Sequence, residues 1–220
     1  MVKAVLSDID GTLVQSNWLH AAAWRDAFLI AGIPLDLEQI RRQIGKGGDE
    51  LIPVFTPWWL RKHIDAPLKT YREFLFHTAY MHQIQPFPKV RELFLRMKRA
   101  GLRTALASSA AKDELQVYAR LAHIDDLLDE GSSADDVDRS KPHPDVFKAA
   151  LKKLRLPAHH VLALGDTPYD AESAGLAGIW TIGVTTGGWS RQELLDAGCL
   201  EVYEDIADLL YHYDQSALNQ

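Results

Sequence analysis

The chain has 220 residues, of which 47% are hydrophobic and 25% are charged. This composition is typical of one large globular domain, or of a domain with a subdomain, that buries about 70% of its unfolded surface. The formal net charge of −6 argues against a protein that binds nucleic acid or an anionic membrane, because both usually require a basic face.

The first predicted element is a short buried strand at residues 3–7, followed by a DIDGT turn at residues 8–12. From Asn17 onward apolar residues recur at helical spacing. Further helical patterns continue to about residue 85, divided into pieces by three prolines. The segment from residue 16 to residue 86 is therefore predicted to be entirely helical.

Beyond residue 86, predicted strands alternate with predicted helices. The strand patterns lie at residues 103–108, 127–130, 160–166 and 179–184, with a short EVYED segment at 201–205. Apolar strands that alternate with helices predict βαβ units and a parallel sheet covered on both faces. The chain is therefore predicted to have an α/β core at residues 1–15 and 87–220. The helical block at residues 16–86 is too long for one crossover helix, so we interpret it as an inserted subdomain.

Two local features have structural interpretations. Trp58 and Trp59 are predicted to pack inside the helical block, and the C-terminal segment YDQSALNQ is predicted to fray.

Polar residues follow the predicted strands at the edge where parallel sheets bind ligands. They are Asp8, Asp10, Ser108, Ser109, Asp166 and Asp170, and Lys141 precedes a predicted helix. Residues two apart in an extended chain point to the same side, so both aspartates of the first motif are expected to address one ligand. The glycine at position 11 releases the turn that follows them.

Carboxylates gathered at one edge repel each other and any anion, unless their pKa values rise or a hard cation binds. Oxygen ligands without His or Cys favour Mg²⁺ over zinc. With the cation and Lys141 in place, the pocket suits a phosphate group, and a serine hydroxyl and backbone amides complete the cradle. We assign nucleophilic attack to Asp8 and proton transfer to Asp10, which requires that their environments separate their pKa values.

Together these residues resemble the four motifs of the haloacid dehalogenase superfamily. DIDGTL matches the first motif, Ser108 the second, Lys141 in KPHPDVF the third and GDTPYD the fourth. The resemblance spans about residues 3–184. It implies a Rossmann-like core, Mg²⁺ and an aspartyl-phosphate intermediate, and the helical block resembles the family's helical cap of the first type.

The resemblance also implies a role for each matching residue. Asp8 is the nucleophile, Asp10 the acid and base, and Ser108 and Lys141 hold the phosphoryl group. The implied Mg²⁺ ligands are the Asp8 side chain, the Asp10 backbone oxygen, Asp166 and Asp170, the last directly or through water. Four further residues are assigned to phosphate or substrate binding: Gly11, His20, Lys46 and Ser109.

Within the family, Asp10 argues against the dehalogenases and the phosphonate-cleaving members, which lack a carboxylate there. SNWLHAAAW, with His20, is similar to β-phosphoglucomutase and to many capped phosphatases, and in the mutase-like pattern His20 orients Asp10. IGKGGDE, with Lys46, resembles phosphoglycolate-phosphatase-like members. Alternatively, His20 is an ordinary residue on a half-buried helix face, and Lys46 lies in an exposed loop.

The sequence thus predicts a Mg²⁺-dependent phosphatase acting on a small phosphorylated metabolite. The alternatives are a sugar-phosphate mutase and a signalling module phosphorylated on aspartate. Neither a signal segment nor an apolar run of about 18 residues is apparent, so a cytoplasmic protein is expected, with neither nucleic acid nor membrane as a partner. The chain is expected to be a monomer or a homodimer.

Overall fold

A computed structural model gives the structure of residues 1–129 and 133–220, with a parallel five-stranded sheet at its centre. The strands, in chain order, are β1 (Ala4–Ser7), β2 (Arg103–Leu106), β3 (Val161–Gly165), β4 (Trp180–Val184) and β5 (Cys199–Tyr203). Their order across the sheet is β2-β1-β3-β4-β5, and each neighbouring pair is parallel. β1 therefore lies between β2 and β3, the strands that precede the second and fourth motifs.

Ten α-helices accompany the sheet in the described part of the chain. Between β1 and β2 lie α1 (Asn17–Ile30), α2 (Leu37–Arg41), α3 (Gly48–Phe55), α4 (Trp58–Leu75) and α5 (Val90–Arg99). The others are α6 (Lys112–Leu121), α7 (Asp145–Leu154), α8 (Pro168–Leu176), α9 (Arg191–Asp196) and α10 (Ile206–Tyr211). None of these helices combines the length and the apolar character that a membrane crossing requires.

Alternate strand residues bury their side chains on opposite faces of the sheet, as the two-residue period of a strand demands. Val5 and Leu162 belong to the core shared with α5, α6 and α10. Ala4, Leu6 and Ala163 belong to a second core shared with α7 and α8. The predicted α/β architecture, a parallel sheet with helices on both faces, is confirmed.

Helices α1 to α4 enclose a core of their own, which includes Trp24, Phe28 and Leu51. The two segments that connect this block to the sheet run side by side, since the Gln15 N–H donates to the Gln85 carbonyl at 2.8 Å. The described residues from 16 to 86 contain helices and turns but no strand. The boundaries of an inserted subdomain at residues 16 and 86 stay predictions.

Prolines divide the helical block less than the sequence suggests. Pro57 separates α3 from α4, whereas Pro53 and Pro67 lie inside helices. A proline removes one backbone donor and strains the preceding turn, and the apolar faces of α3 and α4 pack into the block's core in spite of that loss.

The predicted strand at 127–130 is wrong for the residues that the structure describes. Asp125–Leu127 is a 3₁₀ turn, Leu128 and Asp129 are not in a strand, and residue 130 lies outside the described residues. The reason lies at Thr104 of β2. The Thr104 carbonyl accepts from the Asp129 N–H at 2.6 Å, but the Thr104 N–H donates to the Asp129 carboxylate at 2.9 Å. A side chain thus replaces the backbone partner that a sixth strand would supply.

The exposure of two tryptophans also differs from the prediction. Trp58 and Trp59 begin α4 and are 73% and 55% exposed. α4 buries Leu68 against the block's core, and the two tryptophans instead face solvent at the start of the helix.

The C-terminal segment is ordered, so the prediction that it frays is wrong. It forms two 3₁₀ turns, Tyr213–Gln215 and Ala217–Asn219. Tyr213 and Leu218 are buried in the core shared with α5 and α10. These two side chains hold the segment against the sheet.

We expect Leu218→Ala to lower the free energy of unfolding by about 2–5 kcal/mol, the usual cost of emptying a buried leucine site. Asn219→Ala, at the exposed neighbouring position, is the matched control and should leave the free energy of unfolding nearly unchanged. Urea unfolding of both variants measures the difference. Equal stability of the two variants would mean that the segment is not held by its apolar contacts.

Candidate active site

The carboxyl ends of β1 and β3 bring two predicted site residues together. Asp8 follows β1 and Asp166 follows β3, and the two strands pair with Ser7 beside Leu164. The Asp8 N–H donates to the Leu164 carbonyl at 2.8 Å, so the pairing continues to the site itself. Strand register therefore places two carboxylates, 158 residues apart in sequence, at one edge of the sheet.

Lys141, in the loop before α7, links Asp8 to Asp170. Its Nζ lies 2.6 Å from Asp8 Oδ1 and 2.7 Å from Asp170 Oδ1, and the lysine is fully buried. Asp8, Asp166 and Asp170 each offer an oxygen, and these three oxygens all lie within 4.8 Å of one another. The predicted phosphate site requires this convergence of Asp166 and Lys141 on Asp8.

Asp170 also organises the start of α8. Its Oδ2 accepts from the Thr167 N–H at 3.0 Å and from the Thr167 hydroxyl at 2.7 Å, while the Thr167 side chain accepts from the Asp170 N–H. This is a reciprocal capping arrangement, which stabilises the helix start. The same carboxylate thus caps a helix with one oxygen and binds Lys141 with the other.

The cluster carries more negative charge than Lys141 offsets. Burial raises the pKa of Asp8 to about 7, with Asp170 and Asp10 adding to the rise and Lys141 opposing it. Burial, Asp170 and Asp8 also raise the pKa of Asp166 well above its ordinary value. For Lys141, burial disfavours the charged form, but Asp170 and Asp8 outweigh it and raise its pKa. The cluster is therefore suited to an additional positive charge.

The three carboxylates fit a hard divalent cation. Their donor atoms are all oxygens, they lie within reach of one ion, and their mutual repulsion is what such an ion relieves. The Asp10 carboxylate lies outside this group, since it binds Ser16 and His20. The predicted contribution of Asp10 through its backbone oxygen stays a prediction.

Asp10 has a different set of partners from Asp8. Its Oδ1 accepts from the Ser16 hydroxyl at 2.6 Å and lies 2.8 Å from His20 Nε2, while Arg72 contacts His20 Nδ1. Because an arginine only donates, Nδ1 must accept, and the proton of the neutral ring lies on Nε2, facing Asp10. Burial alone raises the pKa of Asp10, but His20, Ser16 and Arg72 together hold it below its ordinary value.

His20 is buried in this arrangement and stacks on Phe76, with ring centroids 4.0 Å apart. The predicted contact between His20 and Asp10 is therefore present. A role of His20 in substrate binding stays a prediction.

The predicted phosphate-binding residues lie on the loops around Asp8. Ser108 is buried and its Oγ accepts from the Ala110 N–H at 3.1 Å, and Ser109 Oγ accepts from the Lys141 N–H at 3.4 Å. Gly11 has a φ of +76°, which favours glycine, and its N–H donates to the Val14 carbonyl at 2.8 Å. Gly11 thus forms the predicted turn, while its amide already has a backbone partner.

A cavity of about 460 Å³ lies between the sheet edge and the helical block, and it reaches Asp8 of the cluster. Its lining includes Asp8, Asp10, His20, Lys46, Arg72 and Ser108. The Nζ of Lys46 donates to Gln43 Oε1 at 2.7 Å and lies 4.5 Å from the ring centroid of Tyr169. Lys46 thus lines the cavity, and its ammonium group contacts Gln43 and Tyr169.

The helical block contacts the sheet edge directly beside Lys141. Ser140 Oγ donates to Asp49 Oδ1 at 2.6 Å and accepts from the Gly47 N–H at 2.9 Å. Arg41, from α2, donates to the Gly187 carbonyl at 2.6 Å. These contacts hold the block over the cavity.

Sequence reasoning missed several residues of the site. Thr12 and Asn17 donate to the two oxygens of Asp166, each at 2.8 Å. Arg72 lies 3.9 Å from Glu114 of α6 in addition to its contact with His20. Thr12 lies in the first motif and Asn17 lies shortly after it, so their positions in the sequence could have identified them. Arg72 lies on an amphipathic helix, where a charged residue ordinarily indicates a solvent-exposed face.

A family model described as haloacid dehalogenase-like hydrolase matches residues 2–178. Phosphoglycolate phosphatase from Yersinia pestis is 31% identical over 191 residues, which cover 84% of this chain and 82% of that relative. Protein CbbY from Cereibacter sphaeroides is 28% identical over 221 residues, which cover 95% of this chain and 94% of that relative.

A solved structure extends the similarity to the whole fold. The crystal structure of a hydrolase from Pseudomonas syringae superposes with a TM-score of 0.85 at 30% identity, covering 98% of this chain and 99% of that one. The similarity therefore includes the helical block as well as the sheet.

Proposed function

Because this chain belongs to the haloacid dehalogenase-like hydrolases, we propose that it is a Mg²⁺-dependent phosphatase that transfers the phosphoryl group of a small metabolite to Asp8 and then to water. The observation that carries the proposal is the buried cluster in which Lys141 binds Asp8 and Asp170 beside Asp166. A relative named phosphoglycolate phosphatase supports a small phosphorylated substrate.

Asp8 is the proposed nucleophile. Its carboxylate oxygen forms a bond to phosphorus while the bond from phosphorus to the leaving oxygen breaks, which gives an acyl phosphate. Lys141 Nζ, 2.6 Å from Asp8 Oδ1, offsets negative charge at this point. Ser108, buried at the end of the next strand along the sheet, lies on the loop that faces the same cavity.

Asp10 is the proposed acid and base. It gives a proton to the leaving oxygen in the first step. In the second step it takes a proton from the water that attacks phosphorus, while the bond from phosphorus to the Asp8 oxygen breaks and frees the Asp8 carboxylate and inorganic phosphate. Its pKa lies below the ordinary value in the free protein. A phosphate dianion in the cavity disfavours a second negative charge nearby, so substrate binding raises the pKa of Asp10 toward the protonated form that the first step needs.

Mg²⁺, when bound, supplies positive charge that lets a dianionic ester approach the carboxylates. Asp8, Asp166 and Asp170 are the residues that would hold it, with the Asp10 backbone oxygen as a further predicted ligand. Asp8 then remains ionised, because a cation at the cluster opposes the rise in pKa that burial causes.

The helical block contributes water exclusion and selection of the leaving group. It covers the cavity through Asp49, Arg41 and their partners at the sheet edge. The volume of about 460 Å³ is that of a small-molecule pocket. Lys46, Lys69 and Arg72 of the block line the cavity and supply positive charge that a phosphorylated substrate would meet there.

We expect the purified protein to release inorganic phosphate from at least one compound in a panel of phosphorylated metabolites when Mg²⁺ is present. The panel should include phosphoglycolate, hexose phosphates, pentose bisphosphates, pyrophosphate and nucleoside monophosphates. EDTA should stop the release and added Mg²⁺ should restore it, because the cluster needs a cation to accept an anion. Release that is equally fast in EDTA would contradict the metal-dependent mechanism.

A sugar-phosphate mutase is the second candidate, favoured by the contact between His20 Nε2 and Asp10. A mutase must protect its phosphoryl group from water while the sugar phosphate reorients in the site. Hexose 1-phosphate in the same panel separates the two functions. Phosphate release supports the phosphatase, whereas formation of the 6-phosphate isomer without release supports the mutase.

A further inference from the structure

Asn17, the first residue of α1, reaches from the helical block to the carboxylate cluster that is proposed to hold Mg²⁺. Its Nδ2 donates to Asp166 Oδ2 at 2.8 Å, and both residues are buried. Thr12 donates to the other oxygen, Asp166 Oδ1, also at 2.8 Å. Two side-chain donors therefore fix the plane of the Asp166 carboxylate.

The surrounding backbone leaves room for this pair. A Cβ at Gly11 would lie 2.1 Å from Asn17 Nδ2 and 2.3 Å from Asp166 Oδ2. A Cβ at Gly187 would lie 2.2 Å from Asp166 Oδ2. Real Cβ atoms essentially never approach other atoms so closely, so Gly11 leaves room for the Asn17–Asp166 contact and Gly187 leaves room for the Asp166 carboxylate.

The contact is not explained by helix capping. Ser16 is the N-cap of α1 and its side chain makes no capping bond. The Asn17 side chain bonds to Asp166, while its own Oδ1 is buried without a hydrogen-bond partner among the described residues. Burying an unpaired amide oxygen is unfavourable, so helix formation alone does not account for an asparagine here.

We propose that Asn17 is a positioning residue that holds the Asp166 carboxylate in the orientation needed to bind Mg²⁺. Hydrogen bonds to a metal-binding carboxylate orient it and tune its affinity. A neutral amide does this without adding another charge to the acidic cluster. The inference rests on the proposed function, since it concerns the metal on which that function depends.

The test is Mg²⁺ binding by the whole chain, measured apart from catalysis. Thermal unfolding is followed as MgCl₂ is raised at constant ionic strength, and the rise of the midpoint with concentration gives the dissociation constant for Mg²⁺. We expect Asn17→Ala to raise this constant by about tenfold or more, in line with other residues that support metal ligands. In activity assays the Mg²⁺ concentration for half-maximal rate should rise in parallel, while the substrate KM at saturating Mg²⁺ stays at the wild-type value.

Gln15→Ala is the matched control. It removes an amide side chain close to Asn17 in sequence, but Gln15 is exposed and contacts the Pro86 carbonyl. Its Mg²⁺ dissociation constant should equal that of the wild type. Asn17→Ser, which keeps a polar residue but is too short to reach Asp166, is the second variant if Asn17→Ala does not fold, and it should show the same loss.

Three outcomes decide between the alternatives. Weaker Mg²⁺ binding in the Asn17 variants, with Gln15→Ala unchanged, supports the inference. Wild-type Mg²⁺ binding in a folded Asn17 variant overturns it and leaves the proposed phosphatase untouched, even if the midpoint without Mg²⁺ has fallen. A wild-type chain that Mg²⁺ does not stabilise overturns the metal dependence of the proposed function and this inference with it.

Discussion

Replacing Asp8 with asparagine is expected to abolish phosphate release. Asparagine keeps the size of the side chain but lacks the carboxylate oxygen that forms the bond to phosphorus. Lys141 keeps its second partner, since Asp170 Oδ1 lies 2.7 Å from Nζ. The expected loss of activity therefore comes from the missing nucleophile and not from displacement of Lys141. Steady-state phosphate release, measured at saturating Mg²⁺ on the substrate that the panel identifies, gives the result.

The fold of the Asp8→Asn variant should survive. Burial raises the pKa of Asp8 to about 7, so above that pH the folded chain holds an ionised carboxylate at a cost in stability. A neutral side chain removes this cost, so without Mg²⁺ and above that pH the midpoint of thermal unfolding should not fall. Asp196→Asn makes the same chemical change at an exposed position of α9 and should keep the full rate. Wild-type rates in Asp8→Asn would end the covalent mechanism.

Replacing Asp10 with asparagine is expected to slow turnover by about 100-fold or more, the usual contribution of a positioned acid or base. The amide cannot transfer a proton, yet it fits the same site beside Ser16 and His20. The chain should therefore fold as the wild type does. Because Asp10 is also proposed to activate water in the second step, the variant should accumulate the phosphoryl group on the chain.

Two measurements separate the proposed roles of the two aspartates. The intact mass of enzyme quenched during turnover should reveal a phosphorylated fraction in Asp10→Asn and none in Asp8→Asn. A poor leaving group should magnify the defect of Asp10→Asn, because protonation of the leaving oxygen matters most there. Unchanged rates in Asp10→Asn would reassign this residue to a structural role that Ser16, His20 and Arg72 maintain.

Asp8 and Asp10 have different environments because their neighbours differ: Lys141 is distant from Asp8 in sequence, whereas Ser16 and His20 are close to Asp10. Asp8 faces Lys141 and Asp170, and burial dominates its pKa. Asp10 faces His20 and Ser16, with Arg72 behind the histidine, and its pKa falls below the ordinary value. The proposed division of roles requires the two pKa values to differ. In the free protein they do, although Asp8 is the one that is raised.

The errors in the predicted elements share a cause. The pattern at 127–130 has the composition of a strand, but the Asp129 side chain, rather than backbone, bonds the Thr104 N–H. The C-terminal residues are polar on average, but Tyr213 and Leu218 pack into the core beside α5 and α10. In each case a contact with a distant element decided the outcome, and local propensity carries no information about such contacts.

The sequence by itself determined the α/β class, the helical block and the motif residues, because strand and helix periods and turn residues act over a few positions. Asp8, Asp166, Asp170 and Lys141 were identified in this way. Only the tertiary structure decided which groups touch. The order β2-β1-β3-β4-β5 brings Asp166 to Asp8, and the packing of the helical block brings Arg72 to His20 and Asn17 to Asp166. Such contacts depend on strand order, register and domain packing, which arise from the burial of the whole chain and leave no periodic signal in any one segment.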